Sequence, residues 1–294
     1  HSAFRTISFS FSASTTRSLI FSQAAGASFN GSGTWTMRLS KPYNIQNDEC
    51  SLKNINVYLS WFNITAAKGN NTFSYIWTNG TTYPVVIPDG TYQYTDIQGY
   101  FEQVMFLNGH YLVNASSASV FYLSFTVNPV IYKVTFTATP IPATLPSGWT
   151  NPASVNLAIN NTPQVVIPSN NITTLTGFTA GSYPSTPITS IYQYNSQNVP
   201  QITTTSSINI NCNIVNNSGI TSFPRTLASF SPPDGIVTGS LISFVPSYAS
   251  YYALDKGATN IQEITLTLTD INGRELIVND PTAFNATIDI RACR

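Results

Sequence analysis

Ile264-Thr-Leu266-Thr-Leu268-Thr269, Glu275-Leu-Ile-Val278 and Phe284-Asn-Ala286-Thr-Ile288-Asp-Ile290-Arg291 close the chain, and their reading decides its fold class. In the first run the even positions are apolar and the odd positions are threonine. In the last, Phe284, Ala286, Ile288 and Ile290 alternate with Asn285, Thr287, Asp289 and Arg291. A period of two is what a strand needs when one face is buried and the other is wet. Asp270-Ile-Asn272-Gly273-Arg274 separates the first two runs, and Asn-Gly readily takes the positive φ angles of a tight turn. The chain thus ends in an antiparallel sheet with no catalytic residue in view.

Upstream, the same signal recurs. Thr34–Leu39 alternates, and Ile55–Ile64 reads as a long strand. The loop Lys68–Asn71 leads to Thr72–Trp77, and Asn79-Gly80 turns that run into Tyr83–Ile87. After Val120–Val127, a turn at Asn128-Pro129 and Ile131–Phe136, prolines 140, 142, 146 and 152 argue against long regular structure. Gln164–Ile167 is a short strand, and 183–205 reads as a polar, irregular connector. Strands resume at Ile208–Ile214, Leu227–Phe230 and Leu241–Phe244. Short strands at close spacing with Gly and Asn turns mark a sandwich or barrel. One helix interrupts them: Ile97, Tyr100, Phe101, Val104 and Met105 fall on one helical face, with a capping-box sequence at Thr95–Gln98 and a stop at Asn108-Gly109. The first thirty-odd residues, with Phe4, Phe9, Phe11 and Phe21 among Ser, Ala and Gly, read as an extended arm or irregular edge.

Composition narrows the function classes. Charged residues are 8% of the 294, against roughly 25% in ordinary soluble domains. Aromatics at 13% and abundant Ile and Val argue against disorder, so the chain is β-rich with wet faces of threonine and asparagine. Formal net charge is zero, which offers no broad attraction to nucleic acid or anionic lipid and little protection against self-association. Arg5, Arg17 and Arg38 make the N-terminal segment mildly basic, read as solvated arginines rather than a nucleic-acid arm. Cys50, Cys212 and Cys293 have no CxxC spacing; the set fits folding in a reducing compartment, each cysteine being a buried small residue or a surface thiol. No apolar run approaches membrane-spanning length and no signal-peptide layout opens the chain. The start at His1 rather than Met points to removal of a preceding piece. The Asn-x-Thr sequons at Asn63, Asn79 and Asn285 are what chance produces in a chain so rich in Asn and Thr.

Chemistry finds few candidates. His1 and His110 are the only histidines, which excludes a histidine triad or multi-histidine metal site. His110 follows the helix stop, where packing or capping is its expected role. Asp48 and Glu49 are strand neighbours and point to opposite faces. Asp270, Asp280 and Asp289 could meet near one end of the C-terminal sheet, but capping of turns explains them better than acid–base work. No catalytic, cofactor-binding or metal-binding residue is expected. Trp61, Trp77, Tyr75 and Tyr92 would suit a glycan-binding sandwich if exposed, but their alternation favours core positions.

The series Ile208–Ile214, Leu227-Ala-Ser-Phe230-Ser-Pro232-Pro-Asp-Gly235, Ile264–Arg274 and Ile288–Arg291, in that order, resembles the penton, or minor capsid, proteins of virophages and Polinton-like viruses. Val86-Ile87-Pro88-Asp-Gly90-Thr-Tyr92, Asp96-Ile97 and Leu175-Thr-Gly177-Phe178 share that likeness, so it spans most of the chain beyond Ser51. The resemblance implies a structural, non-enzymatic protein. It implies a homopentamer at the fivefold vertices of an icosahedral shell, closed by a heterologous contact between successive copies. Its partners would be other copies of itself, neighbouring major capsid protein capsomers, and a vertex fibre or host glycan. Its place would be the virion, assembled inside the infected host cell. The implied fold is all-β: a single jelly-roll β-sandwich with an inserted β-rich domain containing one helix. Residues 1–33 would form an N-terminal arm, 34–87 and 201–294 the roll, and 88–200 the insertion. The eight roll strands would be Thr34–Leu39, Asn54–Ile64, Thr72–Trp77, Ile208–Ile214, Leu227–Phe230, Leu241–Phe244, Glu263–Thr269 and Phe284–Arg291. A double jelly-roll major capsid protein is the near rival, but this length leaves little room for it. A glycan-binding β-sandwich, as a spike or receptor-binding module, is the alternative from a different class.

Overall fold

The computed structural model describes residues 16–202, 205–216, 225–232, 239–255 and 260–292. The chain divides into two compact units, Phe62–Thr204 and the flanking His1–Trp61 with Thr205–Arg294. In chain order the first flank holds β1 (Arg17–Ser22), β2 (Ser28–Phe29), β3 (Thr34–Tyr43) and β4 (Asp48–Tyr58). The internal unit holds β5 (Thr72–Ile76), β6 (Thr82–Val86), α1 (Tyr94–Leu107), β7 (Leu112–Val113), β8 (Ser119–Val120), β9 (Leu123–Asn128), β10 (Lys133–Ala138), β11 (Gln164–Ile167), α2 (Ile172–Thr176), β12 (Gly181–Tyr183) and β13 (Tyr192–Asn195). The second flank holds β14 (Ile208–Cys212), β15 (Thr226–Phe230), β16 (Leu241–Phe244), β17 (Tyr252–Ala253), β18 (Ile261–Thr269) and β19 (Asn285–Ala292).

The flanking unit is a jelly roll, and its pairing shows why. One sheet runs β1-β19-β4-β16, with β17 also on β4; the other runs β15-β14-β18-β3-β2. Setting aside the two-residue strands β2 and β17 and numbering the rest one to eight along the chain, the orders are 1-8-3-6 and 2-7-4-5. The pairs 1·8, 2·7, 3·6 and 4·5 are all antiparallel. That is a long hairpin folded in half and wrapped into two facing sheets. The internal unit enters between the third strand, β4, and the fourth, β14.

Alternation drives the packing. Cys50, Leu52, Ile55 and Val57 on β4, Ile208, Ile210 and Cys212 on β14, and Ala286, Ile288 and Ile290 on β19 all enter one core. On β4 the inward step changes from 50/52 to 55/57 because the β4–β19 register shifts between Thr287 and Ile288. The bulge inserts one extra residue and keeps both halves facing the core. Trp35 is fully buried and stacks on Phe284 with centroids 3.6 Å apart. An aromatic of that size removes about 150–250 Å² from water, roughly 4–6 kcal/mol of transfer free energy. Outward positions bond sideways: Thr34 to Thr267 at 3.0 Å, Thr36 to Thr265 at 3.2 Å, Asn211 Nδ2 to Thr269 Oγ1 at 2.9 Å, and Thr226 Oγ1 to Asn211 Oδ1 at 2.8 Å. Apart from the buried Thr269, these ladders are the partly exposed threonine and asparagine face expected from composition.

The internal unit has its own core around Phe73, Tyr75, Phe101, Phe125, Phe136 and Phe178. Its sheets run β12-β11-β5-β6 and β13-β10-β9, with β7-β8 a separate hairpin. The helix α1 turns Ile97, Phe101 and Met105 inward. It is tied to β9 by Gln98, whose Oε1 accepts the Phe125 amide at 2.7 Å.

Several expectations are corrected. The roll's first strand is β1, within the segment read as an arm: Phe21 is fully buried and β1 pairs along β19. The pattern hid it because apolar Leu19, Ile20 and Phe21 are consecutive, with Ile20 facing outward. Residues 1–15 lie outside the described residues. Thr72–Trp77, counted as a roll strand, is β5 of the internal unit, held between β6 and β11. Its alternation was real, but a period of two does not name the sheet that receives it. The long strand read to Ile64 ends at Tyr58; Trp61 and Ile64 make only isolated bridges, to Val278 and Gly90. Glu275–Val278 is extended but forms no ladder, because the Leu276 amide bonds the Leu268 carbonyl while the Val278 amide bonds Ser32. The helix starts a little earlier than its expected box. Gln93 is the N-cap, and the Asp96 carboxylate accepts the Gln93 amide at 2.7 Å. Within the connector 183–205, β13 pairs with β10.

Candidate functional site

The residues singled out for chemistry are dispersed and occupied structurally. Asp270 Oδ1 accepts the amides of Asn272 and Arg274 at 2.8 and 2.9 Å, closing the Asn-Gly turn. Asp280 accepts the amide and hydroxyl of Thr282, which hold its carboxyl below the usual range. Asp289 accepts from the Ser18 hydroxyl at 2.5 Å. Asp48 takes the Tyr43 hydroxyl at 3.1 Å, while Glu49 pairs with Arg291 Nε at 2.6 Å. The Arg291 guanidinium also lies 3.3 Å over the Tyr251 ring. Arg17 lies over Tyr43 and Arg38 is paired with Glu263 at 3.5 Å; Arg5 is outside the described residues. No group of three or more His, Cys, Asp and Glu side chains among the described residues could hold a metal ion. No helix among them is long and apolar enough to cross a membrane.

The aromatics considered for sugar binding are mostly core. Tyr75, Trp77 and Trp61 are buried, and Tyr92 is half-buried with its amide on Asn63 Oδ1 at 2.9 Å. His110 belongs to the Tyr75 and Trp77 cluster rather than to a reaction centre. Its Nδ1 is 2.8 Å from the Tyr75 hydroxyl, its ring stacks on Trp77 at 4.1 Å, and burial lowers its pKa to about 4. Cys50 and Cys212 are buried free thiols, and burial pushes the Cys212 thiol up to about 12. Cys293 is outside the described residues.

What the two units offer to the outside is of another kind. In the roll, β1 and β16 border one sheet and β15 and β2 the other. Exposed apolar side chains mark these borders: Ile20 on β1, Leu241 on β16, and Val245 and Tyr248 just after β16. In the internal unit the four-residue loop between β9 and β10 exposes Val130 at 85% and Tyr132 at 73%, with Val127 and Ile131 beside them. Tyr132 holds a left-handed backbone, φ 51°, which a non-glycine residue rarely adopts. The sequence reading took Asn128-Pro129 as an ordinary turn. The signal it passed over was chemical, since Val-Ile-Tyr is poor turn composition. Exposed strand borders and apolar loops are surfaces of the kind that other macromolecules can dock against.

No protein-family model matches the chain, and no curated protein matches it. Among solved structures it is similar to the mavirus penton protein, with a TM-score of 0.47, 11% identity, and coverage of 95% of this chain and 99% of that one. It is also similar to a chain of the Sputnik virophage structure, with a TM-score of 0.39, 13% identity, and coverage of 95% and 97% respectively.

Proposed function

We propose that this chain is a structural capsid protein that assembles as a homopentamer and occupies the fivefold vertices of an icosahedral viral shell. The observation that carries the reading is the strand order of the roll, 1-8-3-6 facing 2-7-4-5, with a second β-rich unit between its third and fourth strands. The motifs that resemble penton proteins fall on this frame. Ile208–Ile214 supplies the fourth strand, Leu227–Phe230 the fifth, Ile264–Thr269 the seventh and Ile288–Arg291 the eighth. The inner faces are consumed by the core, so contacts with other copies fall to strand borders, end loops and the outer faces. A ring of five needs two different flanks on each copy, and the β1 and β16 borders supply two unlike ones. The low charge leaves little repulsion between copies. The work is mechanical rather than catalytic, and the partners are further copies, neighbouring capsomers, and a vertex fibre or host glycan.

Native mass spectrometry and negative-stain microscopy of the full chain test this, alone and mixed with the major capsid protein of the same particle. Closed rings of five, or fivefold-vertex incorporation into shells, are expected. A chain that stays monomeric, binds glycans and never enters shells would overturn the reading in favour of a glycan-binding module.

A further inference from the structure

The hairpin of β9 and β10 turns through Pro129-Val130-Ile131-Tyr132, and all four side chains are exposed. Among the described residues, Tyr132 is the only large one to combine a side chain with positive φ; the other non-glycine cases are Ser117, Ser154 and Asn160. A turn built only to reverse the chain would place Gly or Asn there. Strain of this kind persists where a surface is used, and here it displays an aromatic ring to the outside.

Three features select what this tip can touch. The first is size. A stable protein interface draws about 20–30 residues from each side, whereas the apolar surface here is confined to the hairpin end. Behind it Thr126, Thr135 and Asn195 make a polar collar, with Thr135 Oγ1 bonded to Asn195 Oδ1 at 2.7 Å. The second is the backbone. Pro129 has no N–H, and the Val130 amide is taken by Asn128 Oδ1 at 3.2 Å. Free amides are costly to bring into lipid, so a loop with two of its four donors removed or satisfied enters more readily. The third is charge. Lys133 is the only charged residue between Leu123 and Thr139, and it sits at the base of the loop with Nζ on the Gln197 carbonyl at 2.7 Å. Aliphatic side chains at the centre, a tyrosine beside them and a cation at the base match the sequence of environments from acyl chain to headgroup phosphate.

We infer that the β9–β10 tip docks on lipid bilayers, with Val130 and Ile131 among the outer acyl carbons, the Tyr132 ring at headgroup level and Lys133 facing lipid phosphate. The insertion is shallow and reversible, because few side chains contribute and the collar of Thr126, Thr135 and Asn195 stays in water. Apolar burial drives it. It therefore needs no anionic lipid, and salt does not weaken it as salt weakens a contact between surface charges. This activity lies beyond the capsid reading and does not rest on it, since a single chain carries the whole tip.

The test incubates the full chain with phosphatidylcholine vesicles at millimolar lipid, in low and high salt, and reads the bound fraction by flotation. Binding that survives high salt is expected. Val130→Ser and Tyr132→Asn should each lower the partition coefficient about tenfold, and asparagine tolerates the left-handed backbone at 132. Leu107→Ser, at a side chain 75% exposed at the end of α1, should leave it unchanged. In Tyr132→Trp, tryptophan emission should be quenched beyond the wild-type level by phosphatidylcholine brominated on its acyl chains. No binding by the wild-type chain overturns the inference, as does binding abolished by high salt or reduced equally by Leu107→Ser. Tip variants that lose a contact with another protein, while the wild-type chain ignores vesicles, would reassign the tip to a protein partner. Ring or shell formation is scored separately, so failure of the capsid reading leaves this result standing.

Discussion

Acidification should weaken the internal unit through one side chain, His110. Asn108 Nδ2 donates to the Tyr75 hydroxyl at 2.9 Å, and that hydroxyl is 2.8 Å from His110 Nδ1. Nδ1 is the acceptor within reach of the Tyr75 hydroxyl proton, which assigns the proton of the neutral imidazole to Nε2. Trp77 covers one ring face and Tyr83 presents an edge contact at 4.6 Å. Protonating Nδ1 would place a charge in this aromatic pocket and turn a hydrogen bond against itself, and desolvation alone lowers the pKa from 6.5 to about 4. Above pH 6.5 both folded and unfolded chains are neutral here, so stability is fully present. As pH falls below 6.5 the unfolded chain binds a proton that the folded chain refuses, and stability drops by about 1.4 kcal/mol per pH unit. The loss is complete near pH 4, where the folded form also protonates, and totals about 3 kcal/mol. His110→Phe keeps the ring and the stack but removes the titration. It also strands the Tyr75 hydroxyl, at a pH-independent cost of about 1–3 kcal/mol. Urea unfolding followed by hydrogen-exchange mass spectrometry of β5 and β11 reads this unit alone, and carboxylates titrate equally in both proteins. The stability difference between wild type and variant should therefore shift by about 3 kcal/mol, toward the variant, between pH 7 and pH 4. A difference that stays constant across that range refutes the reasoning.

Two further substitutions probe the roll. Phe21→Ala should cost about 3–5 kcal/mol in urea denaturation, because the ring is fully buried on β1, while Ile20→Ser on the same strand should change stability by no more than about 0.5 kcal/mol. Equal effects at the two positions would contradict the assignment of β1 as a packed first strand. Gly33→Ala should destabilise by about 1–3 kcal/mol, read as a lowered melting temperature, since its Cβ would collide with the Leu276 carbonyl and crowd that of Leu268. A neutral Gly33→Ala would show that the segment after the Asn-Gly turn does not lie against the start of β3.

Legibility followed the strength of local pattern. The Thr-Leu run of β18 and the Ala-Ile run of β19 were readable because each has one wet face, and Gln164–Ile167 and Leu241–Phe244 were found at their true bounds. Helix α1 announced itself by its buried triad, although the cap fell to Gln93 and Asp96, a pair outside the usual Ser/Thr signature. What local pattern does not carry is partnership. β5 alternates as cleanly as any roll strand, yet its neighbours β6 and β11 place it in the other unit. The converse holds for β1, whose neighbour lies at the far end of the chain. Neither strand spells out the sheet it joins; only the closed set of pairs does. The candidate surface was the least legible part: the poor turn composition of Val130–Tyr132 marks the loop as unusual, but their exposure follows from their place at the tip of the β9–β10 hairpin.

The chain's scarcity of charge follows from how its outer faces are built. On the β15-β14-β18-β3 sheet, Thr226 bonds Asn211 at 2.8 Å, Thr267 meets Thr34 and Thr265 meets Thr36. Cross-strand pairs of this kind stabilise by roughly 0.2–1 kcal/mol each without any ion. Their consequence for association is larger than their contribution to folding. Covering a face of lysines and glutamates strips several kcal/mol of hydration from each ion unless a partner replaces it. Hydroxyls and amides that already bond one another lose far less when a neighbouring molecule excludes water. A sheet face laced in this way can be covered by another protein at low cost while remaining wettable when alone. That property is what the proposed function asks of the outer face.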